Sequence, residues 1–152
     1  MGVKVATVAA SIAALSVSGV DIKDIHGIPE EVTTRILLVL FPDPAGFLTG
    51  LTITRQSFGL DASAKKDVKY TLNYVYLHSN AGSGRYITDE INDMVDKAVL
   101  ILNEIADNSS VSGSVDIVPS LSSEFGQMED AAGNLFFGCR VAVDVTEFYE
   151  VT

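Results

Sequence analysis

Apolar residues recur at helical spacing near the start of the chain. Val5, Val8, Ala9, Ile12 and Leu15 fall on one face, and Lys4, Thr7, Ser11 and Ala14 fill the other. That spacing predicts an amphipathic helix. Residues 20–25 read as a short, partly extended link. Residues 33–41 (TTRILLVLF) are β-branched and apolar, and Pro42-Asp43-Pro44 ends that strand because proline cannot continue a ladder. Residues 51–58 (LTITRQSF) alternate and predict the next strand. A polar loop over 59–67 precedes a longer alternating run at 68–78. There Val68, Tyr70, Leu72, Tyr74 and Tyr76 share one face, opposite Lys69, Thr71 and Asn73. Val75 and Leu77 make the second face apolar too, so the end of this strand is expected to be covered on both sides.

The strongest helical pattern runs over 88–107, with Ile91, Met94, Val95, Ala98, Leu102 and Ile105 in one stripe; Asn108-Ser109-Ser110 and Gly113 close it. Short strands follow at 114–118 and around 125–129. The sequence DAAGN at 130–134 is a hairpin turn leading into a last strand over 135–148. In that strand Phe137, Cys139, Val141, Val143 and Val145 face one way and Arg140, Asp144 and Thr146 the other. No internal repeat or low-complexity segment appears. The order of elements predicts an α+β fold: a mostly antiparallel β-sheet packed by one long helix, plus an N-terminal helix.

With 152 residues the chain suits one domain, 1–152, and is short for two. Its net charge of -10 argues against a general nucleic-acid binder, since affinity for DNA comes mainly from cations that neutralise phosphates. An acidic surface can still line a passage through which DNA slides. The single cysteine, Cys139, cannot form an intrachain disulfide and reads as a small buried hydrophobe in a strand. The first nineteen or so residues also have the look of a short signal peptide, but Thr and Ser interrupt the apolar run and Lys4 is its only basic residue before it, which favours the helix. No segment is long and apolar enough to span a bilayer.

Candidate chemistry is sparse. The turn Gly82-Ser83-Gly84-Arg85 between strand and helix lacks the trailing Lys-Ser/Thr of a phosphate loop and the third glycine of a dinucleotide fingerprint. It reads as a tight turn, with Arg85 available for an inter-subunit salt bridge. His26 and His78 are far apart in sequence and have no obvious Asp partner, and with one cysteine they form no zinc motif. Asp89, Asp93 and Asp96 line one side of the long helix. They are either a solvated acidic face, with Lys97 four residues after Asp93, or half of a metal site whose other half would have to come from Glu124, Glu129 or Asp130. There is no GxSxG and no Ser-His-Asp grouping. The tyrosines at 70, 74 and 76 read as sheet packing. No catalytic, cofactor-binding or metal-binding set is therefore expected. Arg35, Arg55, Lys69 and Arg140 fall within strands, and are expected to gather on the polar sheet face and pair with Asp144 or with acids of another copy.

The layout resembles the tail terminator (tail completion) proteins of long-tailed bacteriophages. The stretches that carry the resemblance are the N-terminal helix with VDIKDI, IPEEVTTRILLVLFPDP, YTLNYVYLHSNAGSGR, TDEINDMVDKAVLILNEI and DAAGNLFFGCRVAVDVTEF, which together cover most of the chain. The resemblance implies a structural virion protein with no active site. It implies a homohexameric ring at the head-proximal end of the tail, assembled in the host cytoplasm. Such a ring sits on the tail tube protein, stops tube growth and meets the head connector or neck protein, and DNA passes through it without specific binding. Arg35, Arg55, Lys69, Arg85, Arg140 and Asp144 are the residues expected at subunit or partner contacts. Neck and head-completion proteins are close alternatives. A small metal-dependent enzyme using the acidic helix, and a secreted binding domain, are alternatives of other classes.

Overall fold

A computed structural model describes residues 4–23, 38–43, 45–55, 64–80, 87–107, 115–122, 125–129 and 135–151. The fold is α+β: helix α1 (Val5–Ala13), strands β1 (Asp21–Ile22), β2 (Val39–Pro42), β3 (Leu48–Arg55) and β4 (Ala64–Asn80), helix α2 (Ile87–Asp107), and strands β5 (Val115–Leu121), β6 (Gly126–Glu129) and β7 (Leu135–Val151).

The seven strands form one sheet. Its centre is the antiparallel pair β4–β7, in register from Ala64↔Val151 to Asn80↔Phe136. At 17 residues each, these strands run for about 56 Å, well beyond the usual strand length. Each outer edge of this pair is shared by two shorter strands. On β4, β3 covers the first half and β2 the second; on β7, β6 covers the first half and β5 the second. All these pairs are antiparallel; the two-residue β1 adds to β2 in parallel.

The main core lies on one face, called here the inner face. Strand residues Val68, Tyr70, Leu72, Tyr74, Tyr76, Cys139, Val141, Val143 and Val145 cluster with Val8 and Ile12 of α1 and with Ala98, Ile101 and Ile105 of α2. The alternation read in β4 and β7 thus sets the inner face correctly. A second cluster of Val39, Phe41, Val75, Leu77 and Phe136 lies on the opposite, outer face at the β2–β6 end. The expected two-sided burial at the end of β4 is present.

Several expectations need correction. The strand read at 68–78 starts earlier, at Ala64, so the far end of the supposed 59–67 loop belongs to β4. The strand at 51–58 begins at Leu48 instead. Its alternation gives the facing, with Ile53 beside Val68 and Thr52 beside Lys69, but no core follows from it. All eight residues of β3 are exposed. In α2 the buried stripe is Met94, Ala98, Ile101 and Ile105; Val95, assigned to it from spacing, is 36% exposed. Helical drift of 3.6 residues per turn makes 94, 98, 101 and 105 the straighter line. Most of the strand read at 33–41, the turns at 81–86 and 130–134, and the residues Arg35 and Arg85 lie outside the described residues.

Candidate functional site

Two polar clusters are built into the inner face, and a polar surface lies on the outer face beside its apolar cluster.

The first cluster centres on Glu147. It continues the odd-numbered inward face of β7 beyond Val145, and it is buried. Both carboxylate oxygens accept from the Lys4 backbone N–H, each at 3.0 Å. The Tyr70 hydroxyl donates to Oε2 at 2.5 Å, and the Tyr149 hydroxyl donates to Oε1. Lys4 is the N-cap of α1. Its side chain makes no capping bond, and the first turn of the helix has no acid. Glu147 supplies both missing pieces from across the fold: an acceptor for a terminal N–H and a negative charge at the positive end of the helix dipole. Burial, and then the hydrogen bond to Glu147, push the Tyr149 hydroxyl up to about 12. The same causes, burial first, raise Tyr70 further.

The second cluster centres on His78. Leu77 pairs with Gly138 and Ser79 with Phe137, so His78 is the extra residue of a β-bulge. Its Nδ1 lies 2.8 Å from the Tyr76 hydroxyl. Its Nε2 lies 3.3 Å from Glu90 Oε2 and 3.2 Å from Asp93 Oδ2, both on α2. The sequence expectation that His78 lacks an acidic partner is therefore wrong. The partners come from a helix that follows in the chain, a distance no local spacing reveals. With the proton on Nε2, the tyrosine donates to Nδ1 and the two carboxylates share the Nε2–H. Burial first, and the charge of Asp93 second, raise the Tyr76 hydroxyl above its usual range. The order Tyr-His-carboxylate is that of a proton relay. However, Tyr76 and His78 are both closed off in the interior, so no substrate atom reaches them in this conformation. What the arrangement does is tie the bulge of β4 to the start of α2.

Asp93 does not pair with Lys97 along the helix, as the spacing suggested. Lys97 Nζ donates to the Ser18 carbonyl at 3.1 Å, tying α2 to the turn after α1. Asp96 is exposed. Among the described residues no group of three His, Cys, Asp or Glu side chains could hold a metal ion. Cys139 is buried, and burial pushes its thiol up to about 11. None of the helices described is long and apolar enough to cross a membrane.

The outer face holds three of the six residues singled out as contacts. Lys69, Arg140 and Asp144 all lie there, and all are exposed. Within the subunit, Asp144 and Arg140 meet other groups. Asp144 Oδ1 accepts from Thr71 Oγ1 at 2.7 Å, while Arg140 Nε lies 3.5 Å from Asp43 Oδ2. Half the Arg140 side chain is exposed, so that pair contributes at most about 1 kcal/mol. Nearby, Asn73 Nδ2 donates to the carbonyls of Gly46 and Phe47 and to Thr49 Oγ1, which fixes the turn into β3. Arg55 ends β3, away from this set, beside Lys66 of β4. Sequence reading missed Glu147 and the exposure of β3. The parity of β7 was a signal for the first; nothing local signals the second.

The chain matches no known protein-family model and no curated protein.

Proposed function

We propose that this chain is a structural assembly subunit of the tail terminator kind: a homohexameric ring on the end of a phage tail tube, halting tube growth and meeting the head connector. One observation carries the reading. Strand β3 is exposed along its whole length, with Leu48, Leu51 and Ile53 between 40% and 60% open to solvent. Apolar edge strands invite pairing with other chains, and monomeric proteins normally shorten, charge or cover them. An exposed eight-residue edge with three large apolar side chains suits a subunit whose edge is covered on assembly. The net charge of -10 fits a ring whose bore lets DNA pass, and the α+β order fits the family resemblance.

The test is the mass of the purified protein by light scattering after size exclusion, with negative-stain imaging. The expected result is a six-subunit annular particle. A monomer over the whole accessible concentration range would overturn the ring.

A second reading, a small enzyme working from the acidic helix, has one observation in its favour: the convergence of Glu90 and Asp93 on His78 Nε2. It requires an opening of the interior around Tyr76 that exposes the imidazole.

A further inference from the structure

Two exposed surfaces of the subunit complement each other, and they lie on different sides of it. The first is the β3 edge. Its sequence, LTGLTITR, has no acid. Arg55 ends it, and Lys66 and Lys69 stand on the adjoining β4, while the one acid of that stretch, Asp67, is buried. This edge is apolar and basic in a molecule that is otherwise strongly acidic. The second is the outward side of α2. Val95, Val99 and Leu100 are exposed there, the latter two by 47% and 44%. Asp96 and Asp107 are exposed on the same side, while Glu90 and Asp93 turn to His78, and the one lysine of the helix is held by the Ser18 carbonyl. This side is apolar and acidic.

Resting on the ring reading above, we infer that the outward side of α2 in one copy packs against the β3 edge of the next. The fold places them for this. β3 borders β4 on one side of the central pair, whereas α2 packs chiefly against β5, on the other. Contact between two different patches of a subunit is heterologous, and it closes into a ring when the rotation allows. The lengths agree: β3 spans about 26 Å, and α2 from Asp93 to Asp107 about 21 Å. Apolar side chains meet at the centre, with cations of one copy around acids of the other. The β5 edge is a poorer partner for β3, because Pro119 removes a donor from that strand.

Two variants test the pairing. Ile53→Glu alters only the β3 edge, and Val99→Glu only the α2 side. Both positions are exposed, so far-UV circular dichroism and thermal midpoints are expected to match the wild type. Light scattering is expected to find each variant monomeric where the wild type is a ring. An equimolar mixture is expected to stop at two subunits, because the intact β3 of one variant meets the intact α2 of the other and the remaining pair of surfaces is doubly spoiled. If either variant assembles like the wild type, or if the mixture stays monomeric, the pairing is overturned while the ring itself stands. That outcome would include a β3 edge covered by a different protein or by β3 of a second copy. A wild type that is itself monomeric at every concentration overturns both the pairing and the ring.

Discussion

Glu147 is the residue on which one end of the core depends. Its carboxylate is buried, and three groups share it: a helix-terminal N–H and two tyrosine hydroxyls. Replacing it by Gln keeps the shape but removes the charge and one acceptor oxygen. A group left without a partner in the interior costs about 1–3 kcal/mol. Glu147→Gln is therefore expected to lower stability by roughly that amount in denaturant unfolding, with faster amide exchange at the start of α1. Unchanged exchange there would mean that α1 is held by its apolar face alone. Ionisation sets a second expectation. Cys139, Tyr70, Tyr76 and Tyr149 are all raised above their ordinary values, with burial as the first cause in each. Each favours its neutral form in the folded chain. The stability they contribute is complete below the unfolded values of 9.0 for the thiol and 10.0 for the phenols, and it is lost as pH rises toward the folded ones. Thermal midpoints are expected to fall from about pH 9 upward as the thiol and then the phenols are forced to ionise. Cys139→Ala should remove the part of that fall between about pH 9 and 11; an identical profile in the variant would exclude the thiol.

The β4 bulge leaves no room for a side chain opposite it. Gly138 lies opposite it, and a Cβ there would sit 2.1 Å from the Tyr76 carbonyl oxygen and 3.3 Å from Met128 Sδ. Neither the central strand nor its partner can move aside without breaking the ladder. Gly138→Ala is expected to cost about 2 kcal/mol or more, measured as a shift of the urea midpoint at constant slope. A smaller loss would show that the bulge relaxes. What the sequence made legible at this scale follows from periodicity. Alternation in β4 and β7 gave the inner face, and helical spacing gave both helices, because these patterns record burial against a single neighbour. The bulge was invisible, since a Gly in a strand has many causes. The partners of His78 were invisible as well, since they depend on how α2 crosses the sheet. β3 looked like an ordinary half-buried strand because alternation reports facing and says nothing of what covers the face. Val95 and Ile101 exchanged roles because the buried stripe is centred a fraction of a turn around α2 from the one that spacing suggested.

At the scale of the whole molecule, charge is unevenly placed. Acids dominate, with 20 Asp and Glu against 10 Lys and Arg, yet Arg55, Lys66 and Lys69 stand together around the β3 edge. A uniformly acidic subunit would repel its own copies. In the packing proposed above, the basic edge against the outward side of α2 would give an acidic chain one orientation in which its copies attract. The six contact residues anticipated from sequence contribute unequally to this picture. Lys69 and Arg55 belong to the edge region, Arg140 and Asp144 are engaged within the subunit, and Arg35 and Arg85 lie outside the described residues.

The long β4–β7 pair has a consequence for how the chain reaches this state. Its two strands are separated in sequence by α2, β5 and β6, so the centre of the sheet is also its most non-local contact. Closing so large a loop carries an entropic cost before any ladder bond rewards it. β3 and β2 can pair with β4 early, but β5 and β6 have no strand to join until β7 arrives. Until β7 pairs, β4 has an open edge, and the arrival of β7 is expected to set the pace of folding, which refolding rates of variants along the β4–β7 pair would read. The last strand of the chain is then the one that closes the open edge of β4 and gives β5 and β6 a strand to join.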